Sequence, residues 1–186
     1  MVNESARLSA QDWARAALKA IADGGLGAVA VEPLARTLGV TKVSFYAHCR
    51  NRDELITAAL AEWARSHGEG GLAGFAAIAD PAQRLREVLT AVVHAVQPLA
   101  PSVHLSLLGD RNDPRVGEVL RRVDRARLDL LARTYRELGL PPDRAASRAR
   151  VAYAAIVGLL HLAQTDPEGP HPDLLADEAT GVFLPS

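Results

Sequence analysis

The chain has 186 residues, a formal net charge of −1 at neutral pH and a single cysteine. This length suits one medium domain, or a small domain joined to a larger one, and the balanced charge excludes a protein whose whole surface is basic enough to coat nucleic acid. A hydrophobic content of 48% with only 4% aromatic residues, rich in Ala and Leu, favours helices over sheet.

The first predicted helix begins at a capping-box variant, Ser9-Ala-Gln-Asp12, whose two end residues can each bond the backbone of the other. Trp13, Ala17 and Ile21 then recur on one side at helical spacing, and Gly24 ends the helix. We expect this apolar stripe to pack against the elements that follow.

Two short helices are predicted next, Val31–Leu38 and Lys42–Ala47. The first has its apolar residues on one face and is followed by Gly39, at a position where left-handed backbone is wanted. Thr41 is placed to cap the second helix, which is too short to be stable alone. Two apolar helices across a Gly-containing turn form a helix-turn-helix, whose second helix enters the DNA major groove.

The segment LARTLGVTKVSFYAHCRNRDELI, which contains these helices, resembles the DNA-binding signature of the TetR family of transcriptional regulators. That signature runs Leu/Ile-Ala-x-x-x-Gly-Val-Ser/Thr, then aromatic-Tyr-x-His-Phe, then Lys-x-x-Leu after a short gap. The matching positions here are Leu34, Ala35, Gly39, Val40, Thr41, Phe45, Tyr46, His48, Arg52 and Leu55. The match runs from Trp13 to about Leu60, and beyond it the resemblance is one of architecture.

The resemblance implies a role in DNA binding for seven residues. The start of the second short helix points at base edges in such proteins, and it is formed here by Thr41, Lys42, Val43 and Ser44. Lys42 can donate to guanine, Ser44 can bond either strand and Val43 can meet a thymine methyl group. Phosphate contacts are implied for three further residues, which are Tyr46, His48 and Arg52. Arg52 replaces the usual lysine.

Two residues depart from the family pattern. Glu32 stands where several members carry a basic or polar residue that faces DNA, and its charge opposes phosphate. Cys49 replaces the aromatic residue that commonly closes the motif. We interpret Cys49 as a small buried hydrophobe, with a redox sensor as the alternative.

An all-α fold of about nine helices is predicted: an N-terminal three-helix helix-turn-helix DNA-binding domain and a C-terminal helical domain for ligand binding and dimerisation. We place the first domain at residues 1–55, with a linking helix to about residue 67 that opens at a second capping-box pattern, Asn51-Arg-Asp-Glu54. The second domain covers 68–186, and its Gly- and Ala-rich start, Gly68–Ala79, is interpreted as the boundary. Helices are expected at 81–97, 102–108, 114–138, 143–164 and 174–183.

The helix at 143–164 is apolar almost all the way round in its C-terminal half. Such a helix has to be covered on every side, and a domain this small has little to cover the outer face. We therefore predict that it pairs with the final helix of each chain in a four-helix interface across a twofold axis, as TetR-family proteins do. The predicted interface residues are Tyr153, Ile156, Val157, Leu160 and Gln164.

A small-molecule effector is a further implication of the resemblance. His94 and His104 lie where the family's effector cavity is usually lined, with Leu108 and Tyr135 as possible walls. The alternative for each histidine is a core residue with a satisfied hydrogen bond. The histidines do not recur at a metal-ligand spacing, so no metal and no cofactor is predicted.

The preferred hypothesis is a cytoplasmic, homodimeric DNA-binding regulator that binds a palindromic operator and is released by an unknown effector. Repression rather than activation follows from the family alone. The sequence contains no secretory leader and no apolar run of membrane-spanning length. A helical enzyme is one rival, although no nucleophile elbow or paired carboxylates organise a catalytic site. A helical dimer that acts only through protein partners is the other, and neither rival predicts salt-dependent DNA binding.

Overall fold

The computed structural model of the chain describes residues 8–95, 101–166 and 168–185. Ten α-helices and one short 3-10 turn, Leu26–Ala28, are found in these residues, with no strand. The helices are α1 (Ala10–Gly24), α2 (Val31–Thr37), α3 (Lys42–Tyr46), α4 (Arg52–His67), α5 (Glu69–Ala76), α6 (Pro81–Ala95), α7 (Val103–Gly109), α8 (Pro114–Glu137), α9 (Pro142–Thr165) and α10 (Pro172–Phe183). The predicted all-α fold is confirmed. The predicted end of α6, before Pro98, lies outside the described residues.

The described chain divides into two compact units. The first contains the residues up to Arg65 together with Ser102–Leu120, and the second contains the rest. Residues 102–120, which the sequence-based division placed in the C-terminal domain, group with α1–α4 in the first unit. No helix in the described ranges is both long and apolar enough to span a membrane.

The first unit is built on large apolar side chains that are fully buried. Its largest are Trp13, Ile21, Phe45, Leu55, Ile56, Leu60, Trp63 and Leu107. The predicted capping box at the start of α1 is present: the backbone N–H of Ser9 donates to Asp12 and the Ser9 hydroxyl accepts from the Asp12 N–H. The carboxylate of Asp110, just after α7, accepts the N–H of Leu26 at 2.7 Å, which ties residues far apart in sequence.

α5 is a correction to the sequence-based expectation, which left Gly68–Ala79 without a helix. The segment has a helix because Leu72 and Phe75 pack against the core of the second unit, and such tertiary contacts outweigh the poor helix propensity of glycine. Gly71 is needed for a close approach, since a Cβ there would lie 1.9 Å from the carbonyl oxygen of Ser66.

The second unit has a core contributed by α6, α8 and α9. Its buried members are Leu85, Val88, Leu89, Leu130, Leu131, Tyr135, Ala145, Ala149 and Ala152. A buried cation, Arg84, lies beside this core and is satisfied on several sides: it donates to the carbonyl of Ile78, to the hydroxyl of Thr134 and to the carboxylate of Glu137. A charged group tolerates such burial only when its donors find partners of this kind.

α8 ends at a left-handed glycine. Gly139 has φ +93, its N–H donates to the carbonyl of Arg136, and the next N–H, of Leu140, donates to the carbonyl of Tyr135. This pair of bonds is a Schellman motif, which satisfies carbonyls at the helix end and reverses the chain towards α9.

We expect Gly139→Ala to lower the free energy of unfolding by roughly 1–2 kcal/mol, because an L side chain is strained in left-handed backbone. Gly74→Ala is the matched control, since Gly74 is helical with open space around its Cβ position; it should raise stability by about 0.5–1 kcal/mol. Urea unfolding measures both. Equal stabilities of Gly139→Ala and the unmodified chain would contradict this account of the helix end.

Candidate nucleic-acid interface

The turn between α2 and α3 repeats the geometry seen after α8. Gly39 has φ +69, its N–H donates to the carbonyl of Arg36, and the N–H of Val40 donates to the carbonyl of Ala35. The predicted left-handed glycine is therefore present, and it sets the angle at which α3 leaves α2.

The five-residue helix α3 is anchored by Phe45. This ring is fully buried and meets the edge of Trp13 with 5.3 Å between ring centroids. The centroid of the Tyr46 ring lies 5.2 Å from that of Phe45, yet Tyr46 remains 58% exposed. One aromatic side chain thus anchors the helix while its neighbour is presented to solvent.

The outer face of α3 carries the predicted base-contacting residues. Val43 is 78% exposed, which is unusual for a large aliphatic side chain, and Thr41 and Lys42 are also exposed, with Ser44 half-buried. Thr41 occupies the N-cap position as predicted, but its hydroxyl accepts no hydrogen bond from the described backbone of α3. The prediction that the Thr41 side chain caps α3 is therefore wrong, although its position at the start of the helix is right.

Lys42 is paired across the turn with Glu32 of α2. Its ammonium Nζ lies 2.9 Å from Oε1 of Glu32, and both side chains are at least half exposed. The hydrogen bond to Lys42 lowers the pKa of Glu32 below its usual value, and the same bond raises the pKa of Lys42. The departure at Glu32 is therefore not an isolated charge but half of an ion pair.

Arg52, at the start of α4, has a role that the sequence did not indicate. Its Nε donates to the carbonyl of Val29 at 2.7 Å, and its Nη2 donates to the carbonyl of Leu26. These bonds attach α4 to the segment that precedes α2. The predicted phosphate contact of Arg52 has to be made by a guanidinium that already binds two carbonyl groups.

Only one of the two hydrogen bonds of the predicted capping box at the start of α4 is present in the described structure. The side chain of Asn51 accepts the N–H of Glu54 at 2.9 Å, as expected. The carboxylate of Glu54 does not return to Asn51 but accepts the N–H of Arg50 at 2.6 Å, and it also pairs with the guanidinium of Arg50.

A concave surface lies between the start of α2 and the α3–α4 connection, and the cavity that it forms has a volume of about 340 Å³. Its charged lining residues are Glu32, Lys42, Arg50 and Arg52, and Tyr46 and Asn51 add polar groups. Three cations and one carboxylate make this surface locally positive on a chain whose net charge is −1. Such a surface is suited to an anionic backbone.

His48 and Cys49 follow α3. His48 is half-buried and its N–H donates to the carbonyl of Phe45 at 2.9 Å, so its main chain continues the turn that carries Tyr46. Cys49 is 4% exposed, and burial raises the pKa of its thiol, with the nearby charge of Glu54 acting in the same direction.

The predicted dimer residues differ in how far they are accessible. Ile156 is buried in its own unit, and the hydroxyl of Tyr153 donates to Asp124 at 2.7 Å and accepts from Arg127 at 3.1 Å. Burial raises the pKa of this tyrosine to about 12. Val157, Leu160 and Gln164 are half-buried.

Other apolar positions of the last two helices are exposed. α9 presents Val151 and Leu162 to solvent, and α10 presents Leu174 and Val182. Helical periodicity alone could not separate this outer stripe from the inner one, because the sequence is apolar on both sides.

The four predicted effector residues are divided between the two units. In the first unit His104 is buried, with its ring 6.1 Å from that of Trp63, and Leu108 is partly exposed. In the second unit His94 lies 3.1 Å from Asp173, and Tyr135 is fully buried, which raises its pKa to about 12. Across the described ranges, no three His, Cys, Asp or Glu side chains group as a metal site.

Residues 14–59 match the model of a family described as bacterial regulatory proteins, tetR family. No curated protein matches the sequence significantly. A TetR-family transcriptional regulator from Agrobacterium tumefaciens has a similar structure, with a TM-score of 0.75 at 16% identity over 94% of this chain and 96% of that one. AibR in complex with isovaleryl coenzyme A and operator DNA gives 0.69 at 19% identity, over 95% and 99%. A transcriptional regulator from Rhodococcus sp. Rha1 gives 0.70 at 22% identity, over 95% and 96%.

These identities are low, so the three structures establish a shared fold rather than a shared ligand or operator. The family match covers the helix-turn-helix and the first turns of α4. Together they confirm the predicted resemblance, in the segment that carries the motif and in the architecture of the chain.

We expect the Cys49 thiol to react with a disulfide reagent at least tenfold more slowly in the folded chain than in urea. A raised pKa leaves little thiolate at neutral pH, and burial restricts access. Because the pKa is raised, the rate in the folded chain should keep increasing as the pH rises past 9. The absorbance of the thiolate that the reagent releases measures the reaction rate. A fast reaction at pH 7 would favour the redox-sensor alternative.

Proposed function

We propose that this chain, whose N-terminal helices are those of the TetR family and whose fold is that of TetR-family regulators, binds duplex DNA as a homodimer and represses transcription. The observation that carries the proposal is the presentation of α3. Phe45 holds the helix to the core, and its opposite face is left exposed with Val43 and Tyr46. A recognition helix needs this combination of a fixed inner side and a free outer side.

Base and phosphate contacts fall to different residues in this proposal. Thr41, Lys42, Val43 and Ser44 face base edges, where a lysine, a hydroxyl and an aliphatic group can read different pairs. Tyr46 and His48, with the concave surface beside them, face the sugar-phosphate backbone. Contacts to the backbone position the protein, whereas contacts to bases select the sequence.

The homodimer is supported by apolar surface on α9 and α10. Val151, Leu162, Leu174 and Val182 are all exposed in the single chain, and burial against a second copy would remove them from water. We therefore propose these four as interface residues. Val151 and Leu162 lie on the side of α9 away from the predicted set of Tyr153, Ile156, Val157, Leu160 and Gln164, which stay predictions. Two recognition helices related by a twofold axis would read half-sites about one DNA turn apart, roughly 34–36 Å.

A small-molecule effector is proposed because AibR, a protein of the same fold, was solved with isovaleryl coenzyme A and operator DNA. In this chain α8 is one continuous helix whose first turns belong to the first unit and whose remainder belongs to the second. His94, His104, Leu108 and Tyr135 stay predictions as contact residues, and the cytoplasm stays the expected location.

Selection of duplexes from random DNA at a stated salt concentration should return a palindrome. Tyr46→Phe should then weaken binding about tenfold for every sequence, because it removes one donor to a charged acceptor. Val43→Ala should instead change the preferred base at one position of each half-site. Fluorescence anisotropy against a panel of duplexes measures both.

Thr57→Val is the control for Tyr46→Phe, since it removes a hydroxyl from an exposed position of α4, where it donates to the carbonyl of Asp53 in the same helix. Its DNA affinity should equal that of the unmodified chain. Recovery of no enriched sequence would count against the regulator and in favour of an enzyme or a protein-interaction module.

Leu162→Glu should weaken the dimer by roughly 100-fold, since it places an unpaired charge in the proposed apolar interface. Ala61→Glu adds the same charge at an exposed position of α4 and should leave the dimer intact. Sedimentation equilibrium over a range of concentrations gives the dissociation constants. A monomeric unmodified chain would exclude the two-helix palindrome mechanism.

A further inference from the structure

The ion pair of Glu32 and Lys42 joins the two helices of the helix-turn-helix. Nζ of Lys42 donates to Oε1 of Glu32 at 2.9 Å. Lys42 is the first residue of α3, and Glu32 lies in the first turn of α2. The ammonium group that is best placed to reach DNA from the start of α3 is thus already bonded to an anion of the same chain.

Glu32 also stands apart in the charge pattern of this face. Among the residues that line the concave surface it is the one carboxylate, beside the cations Lys42, Arg50 and Arg52. The other glutamate near this face, Glu54, bonds Arg50 and caps the chain before α4. Glu32 makes no comparable backbone bond in the described structure; its carboxylate bonds Lys42 and is also close enough to Arg36 of the same helix to be affected by its charge.

We infer that the carboxylate of Glu32 competes with DNA for the ammonium group of Lys42 and thereby lowers the affinity of the interface. The inference rests on the proposed function, because it assumes that a duplex approaches α3. It assigns Glu32 to setting affinity, a role distinct from those of the residues that contact DNA.

Two physical effects act in the same direction. Lys42 has to exchange its bond with Glu32 for a bond with a base or phosphate, so part of what the new contact contributes is offset. Glu32 then loses the cation that it bonds and lies beside a strongly anionic polymer, which is unfavourable. Both groups are exposed, and exposed ion pairs are weak, so the combined effect is a change of a few-fold rather than a block.

The test is a double-mutant cycle on the purified full-length chain. Glu32→Gln keeps the size of the side chain and removes its charge, and Lys42→Met removes the ammonium group; the third variant carries both. Asp23→Asn is the matched control, because Asp23 pairs with Lys19 at 3.1 Å on α1 and the change in net charge is the same. Anisotropy titrations use one selected duplex at several salt concentrations.

Glu32→Gln should bind the duplex about threefold to fivefold more tightly than the unmodified chain. Its plot of log affinity against log salt should steepen by up to about 1, because one more cation displaces counterions from phosphate. Asp23→Asn should change neither quantity beyond error. In the Lys42→Met background the gain from Glu32→Gln should be smaller, because only the repulsion between Glu32 and phosphate is left to remove.

An equal gain with and without Lys42 would overturn the inference, since Glu32 would then act by repulsion alone. An unchanged affinity of Glu32→Gln would overturn it as well, while normal binding by the unmodified chain left the proposed function standing. Failure of every variant to bind any duplex would overturn both.

Two further measurements need no DNA. Thermal unfolding identifies a misfolded variant. An NMR titration checks the ion pair, because the pKa of Glu32 should rise in Lys42→Met.

Discussion

The packing of Phe45 against Trp13 is the contact on which the proposed DNA-binding surface depends. A helix of five residues has no stability of its own in water, so α3 exists because one of its side chains is part of the core. The burial of Phe45 fixes the rotation of α3 about its axis, and that rotation leaves Val43 and Tyr46 on the outer side. The left-handed Gly39 and the bonds of Arg52 to preceding carbonyls hold the neighbouring elements at the matching angles.

The cations of this surface are largely engaged within the chain. Lys42 pairs with Glu32, Arg50 pairs with Glu54, and Arg52 donates to two carbonyl groups. A duplex that binds here has to rearrange such contacts, in addition to releasing its own counterions. Attraction at long range is correspondingly modest, in keeping with a net charge of −1. In the proposed regulator, selectivity then has to come from the fit of α3 in the groove and from the spacing of two copies.

The parts of the fold that were predictable are those with local signals. The Ser9–Asp12 capping box and the left-handed Gly39 are signals that involve only neighbouring residues, and the bounds of the adjacent helices follow them closely. α5 was missed because its helicity depends on Leu72 and Phe75 packing against residues distant in sequence. The Glu32–Lys42 pair and the carbonyl bonds of Arg52 also join separate elements, and no local pattern indicates them. On α9 the apolar sequence revealed an excess of apolar surface but not which side of the helix it occupies.

The hydrogen bond between Asp110 and Leu26 spans 84 positions of the chain, and it has a consequence for biosynthesis. α7 and the start of α8 belong to the same unit as α3, so a nascent chain that has emerged only as far as α4 lacks part of the first unit. That unit can reach its final form only after about residue 120 has left the ribosome. A truncation after α4 would have the same deficiency, so helices α1–α4 are not expected to fold correctly when they are separated from the segments that follow.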